Sequence, residues 1–176
     1  MSYVTQISEE QAGAELKPLY ETIRRVMGFV PNYFLAQGHA PKLIDAQVAL
    51  GLGITSDNAL PRKIKEQIGL VVSGANTSSY CVALHMELLR PLGVEKSLGR
   101  KLATDFANAP VEPQVQALFR FADKLTRKPA DITKSDVDAV RAAGWNEQQL
   151  YETVMAVALF NFYNRVSLGL GLMADF

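Results

Sequence analysis

Residues 65–89 read KEQIGLVVSGANTSSYCVALHMELL, and the way apolar and polar positions recur through this stretch decides the fold. Ile64, just ahead of it, and Ile68, Val71 and Val72 within it stand at i, i+4, i+7 and i+8, which is one apolar stripe on an α-helix. Asn76-Thr77-Ser78-Ser79 then sets four short polar side chains in a row. Such side chains compete with helical hydrogen bonds, so they break the first helix and cap the next. On that second helix Cys81, Leu84, His85 and Leu88 fall at i, i+3, i+4 and i+7 and share a face. The leucines mark the face as buried or at an interface, and they place a thiol and an imidazole one turn apart in apolar surroundings. Pro91 and Gly93 end the helix.

Working outward, the punctuation stays helical. Ser8-Glu9-Glu10-Gln11 reads as a capping-box start, followed at helical spacing by Leu16, Leu19, Tyr20, Ile23, Val26 and Met27. Gly28 stops that helix, and Pro31 sets up a short one through Leu35. Pro41 opens a third, with Leu43, Ile44, Val48 and Leu52 as its expected buried face. TSDNALPRK is a linker whose Pro61 suits a first helical turn. Downstream, Leu98, Leu102 and Phe106 mark one helix, and Val115, Leu118, Phe119, Ala122 and Leu125 another. Thr133 with Asp136, and Asn146 with Gln149, are the expected N-caps of the last two. No stretch alternates as a strand does, and there is no internal repeat. The expectation is an all-α single domain of about eight or nine helices. Residues 1–58 would form an N-terminal helical flank, and residues 59–176 the core that holds the site.

Lys plus Arg equals Asp plus Glu at 18 each, so no net field draws the chain to nucleic acid or an anionic membrane. Arg62, Lys63 and Lys65 read as a solvated helix face. Residues 154–173 are apolar over nearly a bilayer's width, but Asn161, Asn164 and Arg165 near their centre would be costly in hydrocarbon. A buried helix is expected there instead, with its polar groups partnered near a subunit interface. The first residues have neither a basic start nor an apolar core, which points away from a signal peptide and toward a cytoplasmic protein. A single cysteine excludes an internal disulfide and a cysteine-based zinc cluster. Neither His85 nor His39, a loop residue, has a second ligand at metal spacing, so neither metal nor cofactor is expected.

Cys81 lies in a first helical turn, where unpaired N–H groups and the positive end of the macrodipole favour a thiolate, and His85 can take the proton. Burial opposes both. A buried free cysteine is also commonly no more than a small hydrophobe, and Cys and His stand at i, i+4 by chance in many helices. Ser78 reads as an N-cap whose oxygen accepts from the N–H of Cys81. Asn76 reads as a helix-break residue, and Tyr80 as a packed ring with its hydroxyl paired.

The run from Lys65 through Glu66, Asn76, Tyr80 and Cys81 to His85 resembles the carboxymuconolactone decarboxylase superfamily, in the peroxidase-related branch around alkyl hydroperoxidase D. The resemblance extends to MGFVPNYFLAQGHAPKLIDA upstream and AVALFNFYNRVSLGLG downstream, and so covers most of the chain. It implies a catalytic set in which Glu66 orients His85 and His85 deprotonates Cys81, with Tyr80, Ser78 and Asn76 around the pocket. It also implies a homo-oligomer, a dimer, trimer or hexamer. The family pairs this cysteine with another three residues upstream, and here that position is Ser78. A dithiol cycle is therefore closed to this chain. The resemblance leaves a one-cysteine peroxidase acting on a small peroxide with an external thiol reductant. A lyase of the decarboxylase branch using His85 and Glu66 as acid and base, and a non-catalytic scaffold or redox sensor, stand as alternatives.

Overall fold

Nine α-helices and three short 3-10 helices make up the regular structure of residues 2–175, the part of the chain that the computed structural model describes, and no strand occurs among them. The α-helices are α1 (Leu16–Met27), α2 (Asn32–Leu35), α3 (Pro41–Thr55), α4 (Arg62–Ala75), α5 (Ser79–Leu89), α6 (Lys96–Asp105), α7 (Pro113–Arg127), α8 (Lys134–Ala142) and α9 (Glu147–Gly169). The all-α expectation holds.

Helix α4 is the axis of the core. It packs against α5, α6, α7 and α9, and every residue from 65 to 73 is buried. The apolar stripe read from Ile64, Ile68, Val71 and Val72 is therefore only part of what α4 buries. Each fully buried Leu, Ile or Val there contributes about 1.5–3 kcal/mol by removal from water. The basic cluster divides. Lys63 is solvated, but Lys65 is completely buried, its ammonium 2.9 Å from Glu152 on α9 and donating to the Ser56 carbonyl. Burial of a charge at helix spacing from apolar neighbours is possible because Glu152 arrives from 87 residues away, which periodicity within α4 does not reveal.

Local signals mostly hold at the helix ends. Gly28 adopts φ +86° and its N–H bonds to Arg24 O, closing α1. Both reciprocal capping boxes form, Thr133 with Asp136 on α8 and Asn146 with Gln149 on α9. The box at Ser8 closes only a turn: Ser8 N–H donates to Gln11 Oε1, but the helix begins at Leu16. No apolar stripe lies between Gln11 and Leu16 to hold a helix on the core, and Gly13 intervenes. On α3, Ile44 is fully buried, while Leu43 is 63% exposed and Leu52 is at the surface. The apolar face of α3 is thus narrower than its leucines suggest.

Helices α1, α2 and α3 pack onto α5. Leu16, Tyr20, Ile23, Tyr33, Phe34 and Ile44 form one apolar cluster with Tyr80 and Cys81 of α5, so the flank is packed over the thiol.

Candidate active site

The break between α4 and α5 places the two key helices side by side. Thr77 takes a left-handed φ of 55°, and the Ser78 N–H donates to Ser73 O. The chain reverses, and α5 returns along α4. That return brings His85 of α5 against Glu66 of α4. Nδ1 of His85 lies 2.8 Å from Glu66 Oε2, and both side chains are almost completely buried. Arg62 Nε stands 3.6 Å from the other carboxylate oxygen. A carboxylate only accepts, so Nδ1 carries the hydrogen of this bond, and in a neutral imidazole Nε2 then holds the free lone pair. Nε2 has no hydrogen-bond partner among the described residues. Two neighbours fix the ring plane: Phe160 meets it edge-on at 4.7 Å between centroids, and Gly69 lies beneath it. A Cβ at Gly69 would fall 2.6 Å from Nε2, so only glycine leaves room for the imidazole.

Cys81 lies one turn before His85, and both open onto the same cavity of about 110 Å³. The thiol does not bond to the imidazole. Its Sγ is 3.3 Å from Ser167 Oγ on α9. Any proton transfer between Cys81 and His85 would therefore need a bridging atom in the cavity, which side chains one helical turn apart allow.

The cavity is apolar over most of its wall. Ile23 and Met27 of α1, Val48 of α3, Leu84 and Leu88 of α5 and Phe160 of α9 line it. Tyr33 and Tyr163 meet edge to face within it, 5.2 Å apart. Burial pushes the Tyr33 phenol up, with Tyr163 adding to the shift; burial, then the negative charge of Glu66, does the same to Tyr163. Both remain protonated donors at neutral pH. Tyr33 spends its hydrogen on Gln47 Oε1 at 2.7 Å, whereas the Tyr163 hydroxyl has no partner among the described residues. Among those residues no group of three or more His, Cys, Asp or Glu could hold a metal, and no helix is long and apolar enough to cross a membrane. His39 is exposed and binds Thr5 O.

The other residues singled out by sequence fall in different places. Tyr80 lines the cavity, and its hydroxyl accepts the Tyr33 N–H at 3.0 Å, which ties α2 to α5. Ser78 occupies the N-cap position of α5, but its side chain accepts no helix N–H. Its hydroxyl instead meets Ser167 Oγ at 3.1 Å, because α9 presents a closer buried partner. Asn76 does not line the cavity. Its amide bonds to Asn161 and Asn164 at 3.0 and 2.8 Å, and Asn164 bonds on to Ser73. The polar groups of α9 thus find partners within the chain, and Arg165 is exposed. Sequence reasoning missed Ser167, Tyr163 and Gly69. A signal for the first existed: Asn161, Asn164 and Ser167 recur every three residues, a polar line along an apolar helix.

This architecture defines the class: an alkylhydroperoxidase AhpD-like helical domain with one thiol. It is similar over its length to an uncharacterized peroxidase-related protein from Ralstonia eutropha JMP134, described as an alkylhydroperoxidase AhpD core. The TM-score is 0.91 and the identity 23%, over 99% of this chain and 92% of that one. An uncharacterized peroxidase-related protein from Silicibacter sp. TM1040 matches at TM-score 0.88 and 24% identity, over 97% and 92%. The debrominase Bmp8, as a cysteine-to-alanine variant in complex with 2,3,4-tribromopyrrole, matches at 0.84 and 22%, over 98% and 91%. Comparison with curated proteins gives no match. Residues 41–100 match the model of the carboxymuconolactone decarboxylase family. The fold is AhpD-like, and the family match runs from the start of α3 into α6.

Proposed function

We propose that this protein is a one-cysteine, thiol-dependent oxidoreductase of the peroxidase type. What carries the reading is the buried Glu66–His85 pair, which leaves an unpartnered imidazole nitrogen on the same cavity as Cys81. In the reaction, His85 takes the thiol proton through a bridging water. The thiolate attacks the terminal oxygen of a hydroperoxide, an S–O bond forms and the O–O bond breaks. The leaving alkoxide takes the proton from His85. Cys81 ends as a sulfenic acid and the peroxide as an alcohol. An external thiol condenses with the sulfenic acid and releases water, and a second thiol cleaves the mixed disulfide to restore Cys81.

A second substrate class is supported by the apolar, aromatic-walled cavity and by the likeness to a debrominase. With a bromoaromatic, sulfur would take the bromine as the C–Br bond breaks, and the ring carbon would take the proton. An external thiol would then displace bromide from sulfur as a mixed disulfide. The protein also self-associates in this proposal, because α3 and α9 pack together and leave Leu43, Leu50, Phe162 and Leu168 exposed.

The test treats reduced protein with cumene hydroperoxide and a sulfenic-acid trap, and follows the Cys81 adduct by mass spectrometry in the wild type and in His85→Ala. Parallel samples with 2,3,4-tribromopyrrole and a thiol are assayed for bromide. Rapid trapping that collapses in His85→Ala is expected. Adduct formation no faster than that of an ordinary free cysteine, with no bromide released, would sink the proposal.

A further inference from the structure

The hydrogen-bond partner of the sulfur is not the imidazole but a hydroxyl. Ser167 Oγ lies 3.3 Å from Cys81 Sγ, 3.1 Å from Ser78 Oγ and 3.0 Å from the Asn164 carbonyl, which accepts its hydrogen. Ser167 is 1% exposed and Ser78 fully buried, so bulk water does not compete for these bonds. A serine hydroxyl has one hydrogen and two lone pairs. With its hydrogen on Asn164 O, both lone pairs of Ser167 are free, one for the Ser78 O–H and one for the Cys81 S–H. Every hydrogen in the cluster then has an acceptor, and the thiol is neutral.

Ionisation of Cys81 removes the S–H and changes what the cluster must do. The sulfur becomes an anion in an apolar wall and needs a donor. The Ser167 O–H is already in range and can turn from Asn164 O to Sγ, while the Ser78 O–H continues to donate to Ser167 and so strengthens its bond to sulfur.

We infer that Ser167 is a catalytic residue that donates a hydrogen bond to the Cys81 thiolate, and that Ser78 is a positioning residue acting through it. The inference rests on the thiol-dependent reading, and it gives Ser78 a role in a site with one cysteine.

The test is the pH profile of Cys81 alkylation by iodoacetamide in the full-length protein. It needs no peroxide, so it is independent of whether the peroxidase reading stands. A charge-assisted bond stabilises the thiolate more than the neutral bond stabilises the thiol. Ser167→Ala is therefore expected to move the midpoint up by about one pH unit, roughly a tenfold slower reaction below the midpoint. Ser78→Ala should move it in the same direction by less, and Ser167→Thr, which keeps the hydroxyl, should restore it. The other titratable or charged groups about the cavity, Tyr33 on α2, Arg62 and Glu66 on α4, Tyr80 and His85 on α5 and Tyr163 on α9, are unchanged in all three variants. The infrared S–H stretch of the reduced protein should also shift to higher frequency in Ser167→Ala as the thiol loses its acceptor. An unmoved midpoint in folded Ser167→Ala overturns the inference. If that variant fails to fold, an unmoved midpoint in Ser78→Ala overturns it.

Discussion

Cys81 and His85 stand one turn apart on α5 yet turn to different partners, the sulfur to Ser167 on α9 and the imidazole to Glu66 on α4. The site is therefore a cavity with a thiol on one side and an oriented imidazole on the other. Glu66 matters only through His85 in such an arrangement. Glu66→Gln keeps an acceptor for Nδ1–H but removes the charge. It should slow sulfenic-acid formation by about tenfold, less than the ~10²-fold loss expected on removing the base itself in His85→Ala. Stopped-flow oxidation of the three proteins orders them. Equal rates for Glu66→Gln and wild type would remove Glu66 from the mechanism.

Gly69 separates site geometry from stability. It lies within α4, where alanine is ordinarily preferred by roughly 0.5–1 kcal/mol. A Cβ there would nevertheless sit 2.7 Å from His85 Nδ1. Gly69→Ala should displace the imidazole and lower Cys81 reactivity toward that of His85→Ala, while the protein remains folded by circular dichroism. Wild-type reactivity in this variant would mean that the ring position is immaterial.

What could be read from sequence follows from the range of the forces involved. Helix boundaries depend on neighbours in the chain, and Gly28, Thr133 with Asp136 and Asn146 with Gln149 were legible for that reason. The all-α class followed from the same periodicities. The family resemblance suggested Glu66 with His85, and the structure joins them by a hydrogen bond. The partner of Cys81 was not legible, because Ser167 lies 86 residues away and a serine late in an apolar helix has many possible roles. The burial of Lys65 was missed for the same reason, since Glu152 comes from another helix. The local position of Ser78 predicts a helix cap, and a tertiary contact takes its hydroxyl elsewhere.

The Lys65–Glu152 pair should be asymmetric in its effect on stability. Glu152 also accepts from the Ala59 and Leu60 N–H groups at 3.1 and 2.9 Å and from Gln148 Nε2 at 3.1 Å, so losing Lys65 leaves the carboxylate with three donors. Losing Glu152 leaves a fully buried ammonium with only the Ser56 carbonyl. Glu152→Ala should cost about 3–5 kcal/mol in urea unfolding, and Lys65→Met clearly less. The reverse order would show that the pair is not what secures α4 to α9.

Asp136 gives a dependence on pH remote from the site. Two hydrogen bonds from Lys124 and two from Thr133 pull its carboxyl down from 3.8 to about 2. A depressed carboxylate contributes stability that is present above its unfolded value and is lost as pH falls through the folded value. The difference in melting temperature between wild type and Asp136→Asn should therefore be full above pH ~4 and shrink between about pH 4 and 2. A gap that stays constant across that range would contradict the linkage.

Placing a second thiol at position 78 tests whether the start of α5 can close a disulfide to Cys81. Side chains three residues apart at a helix start lie about 5–6 Å apart at Cβ, and modest local movement brings such a pair to the roughly 4 Å that a disulfide needs. Ser78 and Cys81 already converge on the same oxygen of Ser167, so their side chains point to one spot. Ser78→Cys treated with one equivalent of peroxide should lose two hydrogens by mass and form no trapped sulfenic acid, whereas the wild type gives the trapped adduct. The same variant should turn over with a dithiol reductant faster than the wild type does, because the disulfide replaces the external resolving thiol. If Ser78→Cys instead accumulates sulfenic acid on Cys81, then the α4–α5 break holds the two side chains too rigidly for a disulfide, and more than one substitution separates this chain from a dithiol enzyme.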